Sequence, residues 1–223
     1  MLNMLLSGNF DIKSALVYFL STCAVVFLTL PIHEFAHGYT ANKLGDPTAR
    51  YQGRLTLNPF AHIDYLGALL IVLIGFGWAK PVQVNTRNFR NPKRDMAITA
   101  LAGPVSNLIV AFVLIFLMNL IAFFGSSISA LYYVIVFLEN IAYINIYLAV
   151  FNLIPIPPLD GSRLLSALLP DRIYYKLMQY ERFMFIFILV LLFSNLGKYI
   201  GIAAGNIFNA FARIIVPLFN LLG

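Results

Sequence analysis

Charge is scarce in this sequence. Asp, Glu, Lys and Arg make up 11% of its 223 residues, 61% are hydrophobic, and the mean hydropathy is +0.84. Soluble domains carry about 25% charged residues, so the shortfall excludes a surface that faces water on all sides and calls for lipid as the solvent. A single cysteine, Cys23, excludes an intrachain disulfide. The net charge of +6 would raise the question of nucleic acid in a soluble chain. No Lys/Arg block and no basic surface interleaved with aromatics is present, and basic residues gather in the cytoplasmic loops of membrane proteins. Repeats and low-complexity tracts are also missing. No small-residue cleavage site follows the first apolar run, which reads as a span that stays.

What is present is a series of long apolar runs. One span takes about 20 apolar residues, which leaves room for about four to six. The expected fold is an all-α polytopic membrane protein, a single domain over 1–223, with a bundle of about five to six helices. Residues 14–32 form the first span. Residues 41–64 are polar and rich in turn formers, with a strand-like alternation at 51–57. Residues 66–79 are apolar but short for a span and carry Gly67, Gly75 and Gly77, which suits a re-entrant segment. From Asp95 to Glu139 there is no charge, which predicts a full span, a turn at 125–127 and a second span reaching Phe151. Pro155, Pro157 and Pro158 then break the helix. Two short apolar stretches, 183–197 and 199–219, complete the chain as C-terminal helices. Segments 40–62, 80–95 and 161–182 hold 12 of the 15 Lys and Arg residues. The positive-inside rule places all three in the cytoplasm and the amino terminus outside.

The chain has three histidines, His33, His37 and His62. Two belong to His33-Glu34-Phe35-Ala36-His37, an H-E-x-x-H pattern at the end of the first span. Residues i and i+4 share a helix face, so both imidazoles can reach one zinc ion, while Glu34 stands beside the metal rather than between its ligands. That is the place of a general base, which takes a proton from water. Ionisable groups inside a membrane are costly and mark function by default. A catalytic zinc site needs a third protein ligand. No third histidine stands six residues after His37, which leaves His62, Asp64, Glu139 and Asp160. Asp160 has the best context, because it follows the proline break, precedes Gly161 and falls at the same membrane depth as the histidines. His62 reads as a loop residue or one that supports a ligand, Asp64 as a turn or cap residue, and Glu139 is given no chemistry.

At these residues the chain resembles the site-2 protease family of intramembrane zinc metalloproteases. The first motif is His33 to His37, and Asn152-Leu153-Ile154-Pro155-Ile156-Pro157-Pro158-Leu159-Asp160-Gly161 matches the second. Asn58-Pro59, His62-Ile63-Asp64, Gly77 to Pro81, and Ala102-Gly103-Pro104 with Asn107 are similar to other family segments. The resemblance covers about residues 20–182 and lacks the PDZ and CBS domains of many relatives. It implies one Zn2+ on His33, His37 and Asp160, Glu34 as general base, and a role for Asn152 near the substrate or the scissile carbonyl. It also implies that the substrates are transmembrane helices of other proteins, with the lipid bilayer as surroundings and no nucleic acid, in a bacterial-type cell membrane. Asn58 and Asn152 are candidate donors to the developing oxyanion. Gly103-Pro104 and Asn107 are expected to serve helix start and packing. The competing readings are a divalent-metal transporter or channel, although no inverted repeat supports it, and an inactive membrane scaffold of the same fold.

Overall fold

A computed structural model describes residues 11–74, 77–125, 130–179 and 195–220. Its regular elements are all helical, with no strand among the described residues. Helix α1 spans Ile12–Lys43 and begins at Asp11, whose carboxylate accepts the backbone N–H groups of Lys13 and Ser14. The short α2 is Thr48–Tyr51, α3 is Tyr65–Ile74 and α4 is Pro92–Gly125. Helix α5 covers Ala130–Asn152, α6 Asp160–Leu168, α7 Asp171–Met178 and α8 Asn195–Asn220. Four of these helices are long and apolar enough to cross a membrane: α1, α4, and the Leu131–Asn152 and Gly197–Asn220 portions of α5 and α8. Helix α8 runs unbroken through Gly197-Lys198, where the sequence suggested a separation, and most of the 183–197 stretch lies outside the described residues.

Helix α4 is the centre, packed against α1, α5, α6 and α8. Ala111 of α4, Ala142 of α5 and Ala204 of α8 let the helices close up, and Ile115, Ile146, Ile215 and Phe219 fill the buried core between them. Pro104 lies well inside α4 rather than at its start, which corrects the expectation for that segment. Interior prolines are tolerated where neighbouring helices re-satisfy the freed backbone group.

Helix α1 is not uniform. Residues Val25–Thr29 form one π turn just ahead of Pro31. Pro31 has no N–H to give to the preceding turn and its ring crowds the carbonyl four residues back, and the wider turn makes room for it. Thr29 steadies the turn by donating its hydroxyl to the Val25 carbonyl at 3.0 Å. From Leu30 the α-helix resumes and carries the whole His33–His37 motif.

The expected strand at 51–57 does not form. Thr48–Tyr51 is a helical turn closed by Gly53 at φ +67, with the Arg54 N–H on the Ala49 carbonyl at 2.8 Å. A left-handed glycine after a helical turn reverses the chain instead of extending it, and four alternating residues are too few to override that. The 66–79 segment does go out and return. Helix α3 leads out, and Gly77-Trp78 comes back onto its first turn, so tightly that a Cβ on Gly67 would lie 2.1 Å from the Trp78 carbonyl oxygen and one on Gly77 2.0 Å from that of Gly67. The chain then continues as an irregular strap over residues 77–85.

Candidate metal centre

The 3.6-residue period of α1 places His33 and His37 one turn apart on its buried face, 5% and 8% exposed. Their rings meet edge to face with centroids 4.7 Å apart, and the two Nε2 atoms are separated by 3.0 Å. The third group arrives from a distant part of the sequence. After α5 the proline-rich turn leaves residues 153–159 without helix, and α6 opens at Asp160. Asp160 Oδ2 stands 3.2 Å from the Nε2 of each histidine. Gly161 permits this entry, because a Cβ there would lie 2.3 Å and 2.5 Å from the carbonyl oxygens of Leu153 and Ile154. These three residues are the group of His, Cys, Asp or Glu side chains among the described residues whose atoms converge as metal ligands do.

Helix α4 forms the floor beneath the histidines. The His37 Nδ1–H donates to the Thr99 carbonyl at 2.7 Å. That bond assigns the proton to Nδ1 and leaves Nε2 as a lone pair facing His33 and Asp160. One turn further along α4, Gly103 lies directly against the rings: a Cβ there would come within 2.3 Å of His37 Nε2 and 2.5 Å of His33 Cε1. Any larger residue would therefore intrude into the site.

Glu34 is 8% exposed and is turned off the ligand face, as expected from its position in the helix. Its Oε2 accepts the N–H of Val82, on the strap, at 2.8 Å. The strap is held in turn by the Lys80 N–H on the His62 carbonyl at 2.8 Å. It is also held by the Asn85 N–H on Asp46 Oδ2 at 2.7 Å. Burial on its own would raise the Asp46 pKa, but the Thr48 hydroxyl, the Asn88 amide and the Asn85 and Thr48 N–H groups outweigh it and hold the carboxyl below its ordinary range.

The remaining sequence candidates fall elsewhere. His62 is buried in the loop, its Nε2–H donating to the Thr56 carbonyl at 2.8 Å, and it is not in the ligand cluster. Asp64 Oδ1 caps the first turn of α3 by accepting the Gly67 N–H at 2.9 Å. Glu139 is exposed on α5. Asn58 is exposed, its Oδ1 engaged by the Phe60 N–H at 3.1 Å. Asn152 ends α5 and donates one amide hydrogen to the Leu148 carbonyl at 3.0 Å. Sequence reasoning missed Val82 and Thr99, which contribute only backbone groups and so leave no side-chain signal. It placed Gly103 in a packing segment without seeing that the surface packed against is the histidine pair; a glycine within an apolar span was the available clue.

The Nε2 atoms of His33 and His37 and Asp160 Oδ2 lie 3.0–3.2 Å from one another, a spacing that a cation shared among them would favour. Asp160 Oδ2 is buried and has no hydrogen-bond donor. In a tetrahedral zinc shell with ligands at about 2.0–2.1 Å, neighbouring ligand atoms are roughly 3.3 Å apart. The donor set and its spacing therefore fit zinc.

Comparisons with known proteins point the same way. The family description "Peptidase family M50" matches residues 21–194. The chain is 41% identical to the candidate zinc metalloprotease YwhC of Bacillus subtilis (strain 168) over 214 residues, which covers 91% of this chain and 98% of that protein. It is 31% identical to the candidate zinc metalloprotease Rip2 of Mycolicibacterium smegmatis over 181 residues, 79% of this chain and 68% of that one. With the candidate zinc metalloprotease MJ0611 of Methanocaldococcus jannaschii it shares 33% identity over 157 residues, 69% and 72% of the two chains. No solved structure matches it. A His-His-Asp cluster suited to zinc, with both histidines buried on an apolar helix, in a chain matched along most of its length by relatives of this kind, makes the protein a zinc metalloprotease of peptidase family M50, the site-2 protease family.

Proposed function

We propose that this protein is an intramembrane endopeptidase that hydrolyses peptide bonds in or near transmembrane helices of other membrane proteins. One observation carries the reading: the His33, His37 and Asp160 cluster, with Glu34 beside it, lies on a helix apolar enough to cross a membrane. A soluble substrate would have no route to such a site, whereas a helix moving laterally in the bilayer would.

In this reading His33, His37 and Asp160 are the ligands. Zinc bound there supplies Lewis acidity, which activates water and polarises a carbonyl near neutral pH. Glu34 is the general base. With Oε2 held by the Val82 N–H, Oε1 is the oxygen that accepts a proton from the attacking water. The same proton then passes to the departing amine. A helical substrate hides its carbonyls in i to i−4 hydrogen bonds and must unwind first. The strap at 77–85 runs next to Glu34 and offers backbone groups on which an unwound segment can pair. Asn152 and Asn58 remain candidates for contact with the substrate or the oxyanion, each after exchanging the bond it makes within its own segment.

The site lies toward the cytoplasmic side, with the amino terminus outside. His37 is six residues, about 9 Å, from Lys43 at the end of α1. That end adjoins the start of α4, since His37 faces Thr99, and both neighbour basic segments.

The test is cleavage of a transmembrane-helix substrate by purified protein in detergent. Wild type is compared with Glu34→Gln, Asp160→Asn and wild type plus a zinc chelator. We expect discrete fragments from wild type alone, with zinc retained in Glu34→Gln and a rate about 10²–10⁴-fold lower. Equal cleavage by Glu34→Gln would overturn the assignment of the base, and absence of fragments over a wide panel of membrane substrates would overturn the proposed activity.

A further inference from the structure

Asp46 lies in the turn after α1 with its side chain fully buried, at 0% exposure. An aspartate at a helix end commonly accepts from the backbone two residues on, and Asp46 does so: Oδ1 takes the Thr48 N–H at 3.1 Å and the Thr48 hydroxyl. Two further bonds go beyond that local role. Oδ2 accepts the Asn85 N–H and Oδ1 accepts Asn88 Nδ2, both at 2.7 Å, from residues 39 and 42 positions away. Both donors belong to the far end of the strap and the turn that follows it.

The strap is irregular backbone with no ladder of its own, so such bonds decide where it lies. Lys80 N–H is anchored on the His62 carbonyl, Pro81 has no N–H, Val82 N–H is on Glu34, and Asn85 N–H is on Asp46. The Val82 side chain also rests over Gly38, where a Cβ would be 3.4 Å from Val82 Cγ1. The strap is thus pinned along the last turns of α1, with the Glu34 bond between two anchors.

We propose that Asp46 is a positioning residue for hydrolysis: by fixing the strap it holds the Val82 N–H on one oxygen of Glu34 and so aims the other at the attacking water. This rests on Glu34 being the general base. It extends that reading, since Asp46 touches neither ligand nor substrate and acts only through the strap.

Asp46→Asn keeps the shape of the side chain but replaces an acceptor oxygen with a donor, which then opposes either Asn85 or the Thr48 and Asn88 donors. The full-length protein is assayed in detergent for kcat, KM and zinc content, and by backbone hydrogen exchange. Displacement of a catalytic group by about 1 Å can cost 10²-fold, so we expect kcat to fall about 10–100-fold, with KM and zinc content unchanged and exchange faster only within residues 80–88. Wild-type kcat despite faster exchange in the strap would overturn the inference, as would faster exchange throughout α1 and α4 with loss of zinc, the mark of a merely structural role. If Asp46→Asn does not fold, Asn88→Ala at an exposed position decides. Reduced kcat with zinc retained supports the inference, and wild-type kcat overturns it. Glu34→Gln in the same assay separates the two readings. Activity retained there removes the base assignment itself. Loss there alongside wild-type activity of Asp46→Asn removes only the role of Asp46.

Discussion

The metal-ligand cluster and the strap beside Glu34 are built by opposite means. On one side α1, α4 and α6 bring His33, His37 and Asp160 together as side chains on regular helices, with the two histidines buried and packed closely against Gly103. On the other side the strap at 77–85 has no regular structure and reaches Glu34 through a single backbone N–H, held by hydrogen bonds to His62 and Asp46. Helices place ligands to within fractions of an ångström, which metal coordination requires. A strap held by a few bonds can shift, which the proposed unwinding of a helical substrate would require. On the proposed mechanism, zinc affinity belongs to the helical side and turnover rate to the strap side.

Substitutions can break that division. His37→Ala removes a proposed ligand and the bond to the Thr99 carbonyl. We expect purified protein to lose stoichiometric zinc and all cleavage, measured by metal analysis alongside the assay; retained zinc would count against the ligand set. Gly103→Ala comes next. Its methyl would collide with both rings, and overpacking of this kind costs about 1–3 kcal/mol, so zinc affinity should drop about 5- to 150-fold in a chelator competition. Unchanged affinity would mean that α4 yields at this contact. Val82→Pro removes the donor to Glu34 while leaving the helices alone. Here kcat should fall about tenfold at full zinc occupancy, and a parallel loss of zinc would show that the two sides are not separable.

The smallest effect concerns pH. The Asp46 pKa is lowered by folding, so its stabilisation of the strap is complete above the unfolded value and is lost as pH falls through the folded one. Hydrogen exchange of residues 80–88 should therefore accelerate selectively below about pH 4, with the α1 and α4 cores still protected. Uniform loss of protection across the chain would instead point to global acid unfolding.

How much of this could be read in advance differs between the same two sides. His33, Glu34 and His37 were legible because helical spacing alone puts i and i+4 on one face. Asp160 could be favoured because Pro155, Pro157 and Pro158 must end a helix there. The alternation at 51–57 misled, since Gly53 can adopt a positive φ and the helical turn before it reversed the chain. The carbonyl of Thr99 and the N–H of Val82 carried no side-chain signal, because almost every residue type has these backbone groups.

Composition and spacing by themselves determined that the chain enters lipid, that two histidines share one helix face with a carboxylate beside it, and that α5 breaks before the prolines. Those are properties of local sequence and of transfer between solvents. Only the tertiary structure decided that Asp160 completes the cluster at 3.2 Å from both histidines, that Gly103 sets how closely α4 approaches them, and that a distant N–H holds Glu34. The physical reason is that distances between atoms far apart in the chain depend on how helices pack and where irregular backbone is pinned, and no local pattern contains either.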